Sequence, residues 1–344
     1  MTSGSRIASG DTGSKAATVA ASRANHDPRD GRVYVSNAAI DLAIEVALAT
    51  GRPLLLRGEP GSGKSSLAAW IAAQRGWRYY EHVVTSRTLA QHFLWSFDHV
   101  RRLADAQAAA YRGTPVNDHD YVTPGVLWWA LDRESAGRRG ISESGDMPAT
   151  RATEPFADLN VSRAPDQAVV LIDEIDKADP DTPNGLLVPL GSHEFRVTET
   201  DTMVRDRPLA RDTSSSHLLI VITTNEERDL PQAFMRRCVV YRLTEPDTQK
   251  LVDIAARHLE VYEGLFTESD RELAEALAAE LDRIRKRSDD KGARPPSTAE
   301  YLDALRACRI LGIAVGTERW DQLCGLTLTK GTERRLSLAE RTDP

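Results

Sequence analysis

Through the first 245 residues, short continuous apolar runs alternate with apolar residues at helical spacing; beyond Pro246 helical spacing continues alone. Ile40, Ile44, Ala47 and Leu48 share one face of a helix predicted over residues 37–50, with Gly51 as its stop. Residues 53–57 form a short apolar run that reads as a buried strand. Residues 66–73 read as a helix ended by Gly76, and 77–84, rich in aromatic and β-branched side chains, as a second strand. Phe93, Phe97, Val100 and Ala104 fall at helical spacing and predict a helix over 88–111. After a loop over 113–121, Thr123 and Pro124 read as the N-cap and first position of another helix, with Trp128 and Trp129 in the core. Residues 135–167 are polar and carry no sustained period, so they read as a long, mobile surface insertion. Residues 168–172 and 217–222 are continuous apolar runs suited to parallel strands buried on both faces, and 238–243 makes a third. Residues 194–197 and 203–205 flank a polar turn and read as a hairpin. Beyond Pro246 three helical stripes follow: Leu251, Ile254, Ala255, Leu259; Leu273, Leu277, Leu281, Ile284; Tyr301, Leu302, Leu305, Cys308. The pattern predicts an α/β unit over 29–245, its parallel sheet sandwiched by helices, followed by an all-α unit over 246–344.

Composition narrows the class. The 344 residues suffice for two domains, and 41% hydrophobic with 28% charged residues is ordinary for a globular protein. A net charge of −7 argues against a nucleic-acid partner. Cys238, Cys308 and Cys324 are far apart and lack metal-ligand spacing, which suits a reducing compartment and a cytoplasmic location. No apolar run is long enough to cross a bilayer, so no membrane role is expected. Residues 1–28, rich in Ser, Ala, Gly and Thr, have the composition of a disordered tail.

The chemistry concentrates at strand ends. Gly58-Glu59-Pro60-Gly61-Ser62-Gly63-Lys64-Ser65, followed by Ser66, sits between a predicted strand and a predicted helix. In that context GxxxxGK[ST] is a phosphate cradle. Its backbone N–H groups and the helix N-terminus face phosphate oxygens. Lys64 can reach the β- and γ-phosphates of a nucleotide, and the Ser65 hydroxyl can ligate Mg²⁺. The run 168–172 ends in Asp173-Glu174, where ligands of open α/β sheets bind. Asp173 is assigned to magnesium and Glu174 to the attacking water. The next apolar run ends in Thr223-Thr224-Asn225, and the Asn225 amide can hydrogen-bond that water or the γ-phosphate. Arg236 and Arg237 precede the last strand; in a ring, one of them could reach a neighbour's nucleotide.

These four elements, in this order, resemble the AAA+ ATPases: 58–65 as Walker A, 169–174 as Walker B, Asn225 as sensor 1 and Arg236-Arg237 as the arginine-finger region. The closer resemblance is to the MoxR family, carried by 171–178, Leu186-Leu187, the hairpin 194–204 and 222–234. Residues 85–130 look like that family's insertion within helix 2. The resemblance implies a P-loop NTPase fold with a helical lid, and a homo-oligomeric, hexameric ring with ATP at each subunit interface. It implies chaperone-type remodelling of a protein partner, often a von Willebrand A domain protein. By position Arg237 matches the finger best, with Arg236 in reserve. Client contacts fall to the helix 2 insertion or to the hairpin. One feature departs from the family: Ala299 or Glu300 stands where a lid arginine is expected, and the nearest arginine is Arg294. That departure keeps open an alternative, a nucleotide-gated signalling or assembly scaffold with slow turnover.

Overall fold

The computed structural model describes residues 31–112, 116–142, 151–206, 217–291 and 295–329. The predicted tail 1–28 and Arg294 lie outside them.

Five parallel strands form the central sheet in the order β2-β5-β8-β1-β9. They are β1 (Leu54–Arg57), β2 (Trp77–Val83), β5 (Ala164–Asp173), β8 (Leu218–Thr224) and β9 (Val239–Arg242). Helices α1 (Ala38–Thr50) and α2 (Lys64–Arg75) pack their apolar faces on one side, against Leu54, Leu56, Val169, Leu171, Leu219 and Val221. The alternate positions Leu55, Val170, Ile172, Ile220 and Ile222 face a second cluster on the other side. Burial on both faces is why these strands read as unbroken apolar runs. All seven residues of β8 are buried. The order matters for chemistry: β8 lies between β1 and β5, so its end at Thr223-Thr224 is placed beside both the phosphate loop strand and Asp173.

Two stretches differ from expectation. Residues 88–111 are not one helix. A 3₁₀ turn at Ala90–Phe93 leads into β3 (Trp95–Phe97), and only then comes α3 (His99–Arg112). β3 pairs antiparallel with β4 (Val122–Pro124), so Thr123-Pro124 lies in a strand and Gly125 caps α4 (Val126–Leu131). Gly125 is needed there because a Cβ would meet the Phe93 carbonyl oxygen at 2.4 Å. Phe93, Trp95 and both tryptophans of α4 are buried, while Val100 is exposed. Tertiary burial of Phe93 and Trp95 outweighs the helical period.

Residues 135–167 are the second. Their described parts hold a helical turn at Arg133–Gly137, a short helix at Ala157–Asn160 and the first residues of β5, which begins at Ala164. The buried Asn160 amide accepts from Tyr79 N at 2.8 Å and donates to Tyr79 O at 3.2 Å. It thereby satisfies the free edge of β2, a role that a hydrophobic period does not register.

β6 (Glu194–Val197) and β7 (Thr202–Arg205) form the expected hairpin, reached through α5 (Leu187–Ser192). At its base Asp206 Oδ1 accepts from His217 Nε2 at 2.6 Å, and its other oxygen lies 3.5 Å from His193 Nδ1. Burial acts to raise the Asp206 pKa, but hydrogen bonds from the two histidines prevail and hold it at about 2. The bond to Asp206 raises the His217 pKa, against burial and the nearby Arg78 and with help from Asp166. The signs then define a window. Asp206 contributes above its ordinary 3.8 and loses its contribution as pH falls towards 2. His217 contributes fully below its ordinary 6.5 and loses its contribution as pH rises through the raised value. Asp206→Asn should therefore lower the melting temperature by roughly 2–4 °C at pH 6 and by less at pH 8.5. Equal losses in thermal melts at the two pH values would contradict this account.

After α6 (Gln232–Met235) and β9 comes an all-helical unit: α7 (Thr248–Glu263), α8 (Glu268–Lys291), α9 (Thr298–Leu311) and α10 (Glu318–Thr327). Its own core contains Leu251, Leu277, Leu281, Tyr301, Leu305 and Trp320. No helix among the described residues is long and apolar enough to cross a membrane.

Candidate nucleotide site

At the carboxyl ends of β1, β5 and β8, the sheet, the segment 33–37 and the helical unit enclose a cleft of about 360 Å³. Pro60, Gly61, Ser62, Gly63, Lys64, Ser65, Ser66, Asp173, Glu174 and Asn225 all line it. Gly58 and Glu59 complete the loop through their carbonyls, which accept from Lys64 Nζ at 2.7 and 2.8 Å. Gly61 has φ +78, and a Cβ there would lie 2.5 Å from Ser297 Oγ. The phosphate loop and the start of α9 are therefore in direct contact, and only glycine fits between them.

Burial lowers the Lys64 pKa, while Asp173 and Glu59 pull it back up. Lys64 is only 5% exposed, so its charge is held in the cleft rather than in solvent. Ser62 Oγ is buried without a hydrogen-bond partner among the described residues. A buried orphan hydroxyl in a glycine-rich loop suits an anionic ligand that would satisfy it.

Opposite the loop, one hydrogen-bond chain joins two strand ends. Ser65 Oγ donates to Asp173 at 2.9 Å, and Thr223 Oγ1 donates to the same carboxylate at 2.5 Å. Thr223 Oγ1 also accepts from Glu174 N at 2.8 Å. Asn225 Nδ2 donates to Glu174 Oε1 at 2.9 Å, and Lys177 Nζ contacts Glu174 Oε2 at 2.5 Å. Glu174 stands at φ 61, ψ 49, a left-handed conformation that costs a non-glycine residue of order 1 kcal/mol. Strain of this kind is kept where the side chain must point somewhere specific. The buried Asp176 carboxylate fixes the following loop by accepting from Glu227 N at 2.9 Å.

The hydroxyl and carboxylate of Ser65 and Asp173 are the oxygen-rich donor set that Mg²⁺ takes. Arg236 and Arg237 are not among the residues lining the cleft. Both are exposed, and Arg237 Nη1 donates to Leu187 O at 2.9 Å. Arg237 also lines a separate cavity of about 300 Å³ with Arg52, Leu190, Phe234 and Cys238.

Sequence reasoning missed the roles of Thr223 and Lys177 and the part that α7 takes in the cleft wall. Lys177 stands three residues after Glu174 on a helical turn, a spacing that could have revealed it. Thr223 becomes visible only once β5 and β8 are known to be neighbours.

Residues 53–238, more than half of the chain, match the family described as AAA domain, dynein-related subfamily. No curated protein matches the sequence. Among solved structures, the Holliday junction branch migration motor RuvB of Thermotoga maritima is similar at 13% identity and TM-score 0.41, covering 84% of this chain and 67% of that one. Domain III of the Thermotoga maritima replication initiation protein DnaA is similar at 16% identity and TM-score 0.41, with coverages of 88% and 98%. A protein of Cytophaga hutchinsonii described as a ‘putative ATPase’ is similar at 13% identity and TM-score 0.38, with coverages of 87% and 82%. With the family match spanning 53–238, the chain belongs to the AAA domain, dynein-related subfamily, of the AAA+ ATPases.

Proposed function

We propose that this chain is a MoxR-like, Mg²⁺-dependent ATPase that assembles as a hexameric ring and remodels or activates a protein partner. The observation that carries the reading is the hydrogen-bond chain Ser65–Asp173–Thr223–Glu174–Asn225, whose members Ser65, Asp173, Glu174 and Asn225 line the same cleft as Lys64. Family membership supports ATP binding and hydrolysis. In this mechanism the loop amides and Lys64 would hold the phosphates, and Ser65 and Asp173 would hold the metal. Mg²⁺, when bound, neutralises charge on the phosphate oxygens. Glu174 accepts the proton of the attacking water, and Asn225 fixes the orientation of that carboxylate. Arg237, outside its own subunit's cleft, acts on the neighbour's nucleotide, with Arg236 in reserve. A protein partner, a von Willebrand A domain protein by the MoxR resemblance, suits the net charge of −7 better than nucleic acid does. A cytoplasmic location suits its three buried free thiols.

Lys64→Ala tests the reading. Losing charge-assisted contacts of about 1.5–3 kcal/mol should weaken ATP binding by roughly 10–100-fold in a fluorescent-nucleotide titration, and hydrolysis should stop. Unchanged affinity would exclude the cleft as the ATP site. The slow-turnover scaffold reading draws on one observation: among the described residues, no arginine lines the cleft. Ordinary steady-state turnover without a partner would decide against it.

A further inference from the structure

Resting on the nucleotide reading above, we propose that Lys250 is the group through which the helical unit binds the nucleotide's polyphosphate, in place of an arginine. The helical wall of the cleft is made by Lys250, Ile254 and His258 of α7 and by Thr298, Ala299 and Leu302 of α9. The position expected to carry an arginine holds Ala299 or Glu300: Ala299 is too short to reach a ligand, and the Glu300 carboxylate accepts from Ser297 N at 2.6 Å. Arg285 is committed through Nε and Nη1, while its buried Nη2 has no partner among the described residues. Its Nε donates to Pro296 O at 3.1 Å, its Nη1 to Pro246 O at 3.0 Å, and it pairs with Glu245 at 3.0 Å. It ties the starts of α7 and α9 together and does not line the cleft.

Lys250, Ile254 and His258 recur every four residues and form one stripe, about 12 Å long at 1.5 Å per residue. The two ends of the stripe meet different chemistry. The Lys250 end follows Leu243, whose N–H donates to Arg57 O at 2.8 Å, beside the start of the phosphate loop. The His258 end lies next to Tyr262, whose ring sits under the Arg32 guanidinium at 4.9 Å, at the start of the segment that carries Val33, Tyr34 and Val35. The cleft thus has an apolar, aromatic end suited to a base and a cationic end suited to phosphates. Among the described residues, Lys250 Nζ has no hydrogen-bond or ion-pair partner, although the side chain is half-buried. Asp247, the nearest carboxylate in sequence, accepts instead from the Lys250 backbone N–H at 2.8 Å. A half-buried ammonium without a counter-charge, in a cleft with a phosphate loop, is placed to pair with a polyanion. Because Arg285 ties Pro246 to Pro296, and Ser297 rests on Gly61, the start of α7 is linked through Arg285 to the phosphate loop.

The full-length chain carrying Lys250→Ala, Lys250→Met or Lys250→Arg is titrated with ATP and with AMP by isothermal calorimetry in the presence of Mg²⁺. The Ala and Met variants should bind ATP about tenfold more weakly, and AMP with a clearly smaller loss, while Arg restores ATP affinity. Their salt dependence of ATP binding should be shallower than that of the unsubstituted chain. Thermal melts without nucleotide should be unchanged in Lys250→Met, which keeps the aliphatic stem. Unaltered ATP affinity in Lys250→Met, alongside lost affinity in Lys64→Ala, would overturn the inference and leave the nucleotide reading intact. An equal loss for ATP and AMP would also overturn it, since the contact would then lie away from the β- and γ-phosphates. Retained affinity in Lys64→Ala is the separate result that would remove the nucleotide reading itself.

Discussion

Glu174→Gln should reduce steady-state ATP hydrolysis by roughly 10²–10⁴-fold and leave ATP bound. Glutamine has the same shape and keeps an oxygen for the Asn225 amide, which donates to Glu174 Oε1 at 2.9 Å. It cannot accept the proton that an attacking water must lose. It also gives up the charge that holds Lys177. The backbone at residue 174 is set by Thr223 Oγ1, which accepts from Glu174 N at 2.8 Å, so the loop keeps its geometry in the variant. Ser65, Asp173 and Lys64, on which the proposed nucleotide binding rests, are untouched. Phosphate release measured beside retention of labelled ATP on a sizing column separates the two steps. Turnover at the unsubstituted rate would move the base elsewhere. Asp176 is a poor substitute, because its carboxylate is buried and accepts from the backbone N–H of Glu227.

What the sequence revealed and what it hid follow from the range of the forces involved. Strand ends were legible because a strand buried on both faces must be a continuous apolar run, and the first polar residues after it mark the ligand side. Asp173, Glu174 and Asn225 were found in this way, and the phosphate loop by its glycine spacing. Strand order is a long-range property. That β8 lies between β1 and β5 cannot be read from local pattern, and with it the role of Thr223, which bonds both Asp173 and Glu174, stayed hidden. The same limit applies to 88–111, where burying Phe93 and Trp95 produced a turn and a strand from a helical period. It applies again to Asn160, whose polar side chain gave no periodic signal yet satisfies both backbone groups of Tyr79. The missing arginine at Ala299 or Glu300 was visible in sequence. That Arg285 joins the starts of two helices while Lys250 faces the cleft required the packed lid.

Arg237→Ala should lower hydrolysis by roughly 10³-fold, and the loss should be partly recovered by adding Lys64→Ala subunits. The reasoning turns on position. Arg237 is absent from the cleft lined by its own Lys64 and Glu174, yet it is exposed and held in place by Leu187 O at 2.9 Å. It precedes β9, an edge strand of the sheet on which Val240 is 45% exposed. An arginine fixed beside an open sheet edge can serve a nucleotide only if another subunit brings one to it. In a mixed ring, an Arg237→Ala subunit keeps its own phosphate loop and can receive the intact Arg237 of a Lys64→Ala neighbour. Turnover per ring should then pass through a maximum as the ratio of the two inactive chains is varied. A flat response at every ratio would count against action in trans. Arg236→Ala, measured in the same way, ranks the two arginines: a larger loss than that of Arg237→Ala would transfer the role to the residue held in reserve. The anchoring carbonyl of Leu187 opens α5, which leads into the hairpin of β6 and β7, so a finger held there would also sense movement of that hairpin.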